Sequence, residues 1–195
     1  MKKNKKTLNK FLKEQVSFIL ESKKFILFSV VLFLFCFVLG LLIFPSPEIL
    51  QVIKNLVEEL LKQTEGMSFF QLFWFIFSNN LKVSFISMIF GIFFCIVPFL
   101  ILVSNGYFVG FISSQVVSQE GIFSLWRLIP HGIFELTGVF ISVGLGFRLG
   151  LFLFEKREKK FSSILSKSFI SFLVIVLPLL VVAALIESAL IILGI

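Results

Sequence analysis

Apolar residues fall along this chain in long blocks rather than in the short stripes of a soluble protein. The first block runs from Phe25 to Phe44, and 20 residues in a helix match a hydrocarbon core of about 30 Å. Pro45 and Pro47 end it. The next stretch, residues 47–65, changes period: Ile49, Leu50, Ile53, Leu56, Val57, Leu60 and Leu61 recur at helical spacing opposite Glu48, Lys54, Glu58, Glu59 and Lys62. That pattern predicts an amphipathic helix on the membrane surface or over the bundle. "MSFFQLFWFIFSNN" follows and reads as a short oblique lead-in.

From Leu81 to Ser118 the apolar run is almost unbroken. As one helix it would reach about 57 Å, nearly twice the bilayer core, so it must turn back. A turn at Asn105 leaves a second helix of only about 20 Å, whereas a turn near Pro98 divides the run evenly. The spans expected are therefore 25–44, 79–97, 99–118, 128–154 and 168–193. The fold class is all-α: a polytopic transmembrane helical bundle of about five spans plus one amphipathic surface helix. It comprises a basic cytoplasmic N-terminus, residues 1–24, and a single membrane domain, residues 25–195.

Composition agrees. Of 195 residues 58% are hydrophobic, the mean hydropathy is +1.07 and only 15% are charged, which excludes an ordinary water-soluble domain. The first span ends in "FPSPE" without a small-residue cleavage pattern, so it is expected to stay as a signal anchor. Cys36 and Cys95 lie inside apolar runs without metal-ligand spacing.

The net charge of +7 is concentrated in two places. Residues 1–24 carry eight lysines against two glutamates, and 155–167 carries five basic residues against two acidic ones. Basic runs flanking apolar segments mark the cytoplasmic side rather than a nucleic-acid surface. Five crossings put both runs on that side and leave the C-terminus external; four would not. The expected location is the cytoplasmic membrane.

Five polar residues interrupt the spans: Asn105, His131, Glu135, Arg148 and Glu187. A charged group at the centre of a membrane helix costs on the order of 2.5–3.5 kcal/mol on insertion scales, so these residues should face the bundle and find partners. His131 and Glu135 share a helix face at i, i+4. Glu187 lies at a similar depth on the antiparallel fifth span, so the three can meet. Such a trio is either a proton or cation site or a lock between helices. Arg148 and Asn105 are expected in a second layer near the other end.

Small residues carry another message. Gly106 and Gly110 on the third span, and Gly146 and Gly150 on the fourth, keep GxxxG spacing, joined by Gly138, Ser142 and Gly144. Such spacing permits close backbone approach in lipid and predicts that spans three and four pack together. Gly132 belongs to the same group of expected packing positions, and Gly144 is the one most easily read as mere flexibility. Pro130 fits the first turn of the fourth span.

No HExxH, GxSxG, Walker or dinucleotide-binding glycine pattern occurs. No enzyme activity, cofactor or bound metal is expected.

"NGYFVGF", "LIPHGIFELTGVFISVGLGFRLG" and the closing "VVAALIES" carry a resemblance. In these motifs the chain resembles the stage II sporulation protein M family of integral membrane proteins, from about Ser78 to Leu193. The matching positions are Asn105, Gly106, Pro130, His131, Gly132, Glu135, Arg148, Gly150 and Glu187. The resemblance implies a structural or scaffolding part in membrane or envelope remodelling, since the namesake works as a membrane anchor with cell-wall-degrading partners. A small ion- or proton-coupled transporter is the competing expectation. Expected partners are the lipid bilayer and other membrane or envelope proteins or further copies of the chain, and not nucleic acid.

Overall fold

The structure, a computed structural model, describes residues 2–152, 154 and 160–194, the side chains of 2–6 and 8 excepted. It is helical throughout, and no strand occurs among the described residues. In chain order the helices are α1 (Lys2–Glu21), α2 (Lys23–Leu42), α3 (Pro47–Thr64), α4 (Phe69–Ile89), α5 (Ile96–Glu120), α6 (Ile129–Phe152), α7 (Phe161–Ser171) and α8 (Leu177–Leu193). A 3-10 turn, Phe90–Ile92, ends α4; a longer 3-10 run, Ile122–Leu128, leads into α6; a π-helical turn, Phe172–Val176, joins α7 to α8. Five helical units are long and apolar enough to cross a membrane: α2, α4, α5, α6, and α7 with α8.

The apolar lead-in before residue 79 is not separate. Ser68 starts α4 with a capping box in which the Gln71 side chain accepts from the Ser68 N–H at 2.8 Å. From that cap "FFQLFWFIF" continues straight into the second span. The expected start at residue 79 is thus ten residues late, because a local capping signal outweighs the polar Ser-Asn-Asn sequence that looked like a boundary.

The turn between the second and third spans comes just before Pro98. Phe94 and Cys95 take left-handed φ angles of 52° and 62°, a conformation that costs a side-chain-bearing residue about 1–2 kcal/mol. Packing holds the turn in place: Cys95 Sγ contacts the Phe147 carbonyl at 3.6 Å, and Gly91 lies against the backbone of Gly146. Pro98 sits in the first turn of α5, where its missing N–H leaves nothing unpaired. Ser104, Asn105 and Gly106 consequently lie inside the third span.

Helix α6 is the axis of the molecule. From Ile141 to Gly150 every residue is buried, the mark of a helix surrounded by neighbours rather than facing one. It packs against α2, α4 and α8. Its apolar side chains divide between two cores: Ile141, Leu145 and Leu149 meet α4 and α8, while Val139, Val143 and Phe147 meet α2 and α5. Outside these cores α2 exposes Leu27, Phe28, Val31, Leu34, Phe35 and Val38, a surface suited to lipid and costly in water.

The glycines contact different neighbours from those their spacing suggested. Gly106 and Gly110 of α5 face α2, where a Cβ would run into the backbone of Phe33 and Phe37, and Gly40 of α2 answers against Tyr107 and Phe111. Spans one and three are the close pair, in place of three and four. On α6, Gly146 abuts the carbonyl of Ser87, and Gly150 abuts that of Gly91. Gly144, the glycine most easily read as mere flexibility, is pressed against the backbone of Ile26. Gly132 has nothing within 4 Å; it borders an open apolar groove between α2, α5 and α6, so it is not a packing position.

Residues 1–24 are more than a loose basic terminus. Within them α1 packs on α7, where Ser171 Oγ donates to a buried Gln15 Oε1 at 3.0 Å. The part of the basic loop at 155–159 lies outside the described residues.

Candidate functional site

Pro130 occupies the first turn of α6, and the helix it opens carries His131 and then Glu135 one turn later on the same face. Helix α8 brings Glu187 to them. One imidazole nitrogen and one carboxylate oxygen from each glutamate lie within 4.8 Å of one another, all three residues being half-buried. The Nδ1 atom of His131 is fully buried and has no hydrogen-bond partner. Among the described residues neither glutamate has a hydrogen-bond or ion-pair partner; the two ion pairs are Arg127–Glu120 and Arg148–Glu21. The site thus gathers two carboxylates and an imidazole without an arginine or lysine to balance them.

A cavity of about 440 Å³ opens onto Glu135 and Glu187. Its other walls come from α3 through Val57, Leu60, Leu61 and Thr64, from α4 through Asn79 and Asn80, and from α5 through Phe108 and Ile112. Helix α3 lies over it as a cover, with Ile53 as its buried residue. Asn79 and Asn80 add amide groups that sequence reasoning missed. The available signal was the Ser-Asn-Asn break in an apolar run, which reads as a boundary as long as the second span is thought to begin there.

Arg148 stands apart from this cluster, at the end of the bundle that carries α1. It is buried, and its Nη1 donates to the Phe18 carbonyl at 3.2 Å and to Ser22 Oγ at 2.6 Å. Its Nη2 pairs with Glu21 at 3.2 Å, and the guanidinium stacks over the Phe18 ring, 4.3 Å from its centroid. Every partner comes from α1 or the residue just after it. Asn105 does not join this layer. It is exposed, and its Nδ2 donates to the Ile101 carbonyl of its own helix at 2.8 Å. A membrane-embedded amide satisfied by its own backbone needs no bundle partner, which is why its expected inward placement fails.

The comparisons with known proteins bear on the same segments. Residues 29–190 match the family described as Stage II sporulation protein M. An uncharacterized protein of Methanocaldococcus jannaschii is 37% identical over 118 residues, which are 57% of this chain and 66% of that protein. The chain therefore spans just under two thirds of that relative's length. No solved structure matches. With five apolar helices and a family match over most of their length, this multi-pass membrane protein belongs to the stage II sporulation protein M family.

Proposed function

We propose that the protein is a non-enzymatic structural or scaffolding component of the cytoplasmic membrane, acting in membrane or envelope remodelling. The observation that carries this reading is the way α6 is fixed. Glycines bring it against the backbones of α2, of α4 and of the turn after α4, and Arg148 ties it to α1. Such contacts favour one shape over many. Altering the outward face of α3, for example Val52→Ser with Leu56→Ser, should abolish co-purification of membrane partners while the bundle stays monodisperse in detergent.

A specific observation favours a second reading, a small proton- or cation-coupled transporter. It is the convergence of His131, Glu135 and Glu187 beside a cavity with amide-bearing walls. Reconstituted protein then carries proton or cation flux that Glu135→Gln abolishes at matched insertion and stability. Absence of flux from the wild type would remove this reading and leave the scaffold.

A further inference from the structure

We infer that His131, Glu135 and Glu187 form a binding site for one first-row divalent transition-metal ion, of the zinc or manganese class. The inference names the ligand of the site on which the transporter reading rests, but equilibrium binding does not require transport.

Four observations support it. The donor set is mixed, one imidazole nitrogen and two carboxylate oxygens, a combination that suits zinc or manganese better than the all-oxygen shells of calcium and magnesium. The donors converge within 4.8 Å from two antiparallel helices. Around a four-coordinate ion with bonds of about 2.0–2.2 Å, ligand atoms stand about 3.4 Å apart, so rotamer adjustments of roughly 1 Å complete the shell. No described lysine or arginine pairs with either carboxylate, whereas a divalent cation would neutralise both, and a neutral complex is the affordable one at membrane depth. Finally, the buried Nδ1 of His131 lacks any hydrogen-bond partner, a state that native structures seldom leave unexplained.

The cavity supplies what three protein ligands leave open. It reaches both glutamates from beneath α3 and is large enough for water in the fourth position. Asn79 and Asn80 on its wall can hydrogen-bond that water or a ligating carboxylate and fix its orientation. Cys36 and Cys95 are not part of this shell: Cys36 is buried between α2 and α5, and Cys95 lies at the turn against α6.

The test is a titration of purified, chelator-stripped full-length protein in detergent with Zn²⁺, and separately Mn²⁺, against a chromogenic competitor. Saturation at one ion per chain is expected, with affinity falling at least tenfold in His131→Ala and in Glu187→Gln and unchanged in Asn105→Ala. X-ray absorption of the zinc-loaded protein should show nitrogen and oxygen ligands and no sulfur. Chromatographic behaviour and the metal-free melting temperature identify any variant that fails to fold, in which case His131→Gln takes its place. No saturable binding in the wild type, binding indifferent to His131 and Glu187, or sulfur in the shell each overturns the site. Zinc binding without flux would support it while ending the transporter reading.

Discussion

At the scale of single residues, Arg148 has the most to lose. Its guanidinium serves a backbone carbonyl, a hydroxyl, a carboxylate and an aromatic face at once. The Glu21 partner is half-exposed, so that pair adds no more than about 1 kcal/mol. The hydrogen bonds of the charged group to Phe18 and Ser22 weigh more, about 1.5–3 kcal/mol. Arg148→Leu should therefore lower the melting temperature and release α1, read as rapid proteolysis within residues 7–21. Arg148→Lys should rescue only part of this, since an ammonium lacks the planar fork that reaches two acceptors and stacks on a ring. The residue itself was legible in the sequence as a charge that needed partners. Its partners were not, because residues 18–22 belong to a segment whose lysines read simply as a solvated terminus.

The elements hold together through positions where a side chain is missing. Adding one methyl at Gly146 drives it into the carbonyl of Ser87, and overpacking of this kind costs about 1–3 kcal/mol. Gly146→Ala should lower thermal stability, whereas Gly132→Ala, with open space around it, should leave it unchanged or slightly raised through better helix propensity. GxxxG spacing disclosed that close contacts exist. It did not disclose with whom, since the complementary position on α2, Gly40, stands alone in its helix. The turn before α5 was legible from span length, near Pro98, but not its residues: the left-handed ones are Phe94 and Cys95, neither of which advertises such a conformation as glycine or asparagine would. Helix α3, by contrast, was plain from its period. It is anchored at Ile53, so Ile53→Asp should lift it from the cavity and speed carbodiimide modification of Glu135 and Glu187, measured by mass spectrometry.

Over the whole molecule, the topology follows from blocks of hydropathy, and those blocks are the part of the fold that sequence states most directly. Helices α1 and α7 lie together at one end, while α3 covers the other end with Glu135 and Glu187 beneath it. Lysines cluster at the first end, among them Lys10, Lys13, Lys160 and Lys167, and on the positive-inside tendency we propose that this end faces the cytoplasm. Reporter fusions should accordingly find the N-terminus inside and the C-terminus outside; an internal C-terminus would contradict the charge assignment. The meeting of His131 and Glu135 with Glu187 was inferable from matched depth on antiparallel spans. The cover supplied by α3 was not, because surface helices carry no signal for where on a bundle they rest.

The π-helical turn between α7 and α8 bears on the length of the gene as well as on the shape of the protein. Pro178 follows it, with no N–H to offer and a ring that would crowd the carbonyl of Val174, and the Leu177 N–H reaches back five residues to Phe172 instead. Such a turn absorbs one residue. Ser171 and Glu187 would stand about 160° apart around an unbroken α-helix but come to about 60° with one residue taken up in this way. Ser171 can therefore hold Gln15 of α1 while Glu187 turns toward α6 from the same span. Loss of one codon within 172–176 would leave both ends of the fifth span in phase, whereas the same loss between 179 and 186 would swing Glu187 by about 100° away from His131 and Glu135. Only the first kind of length change is compatible with keeping the three side chains together.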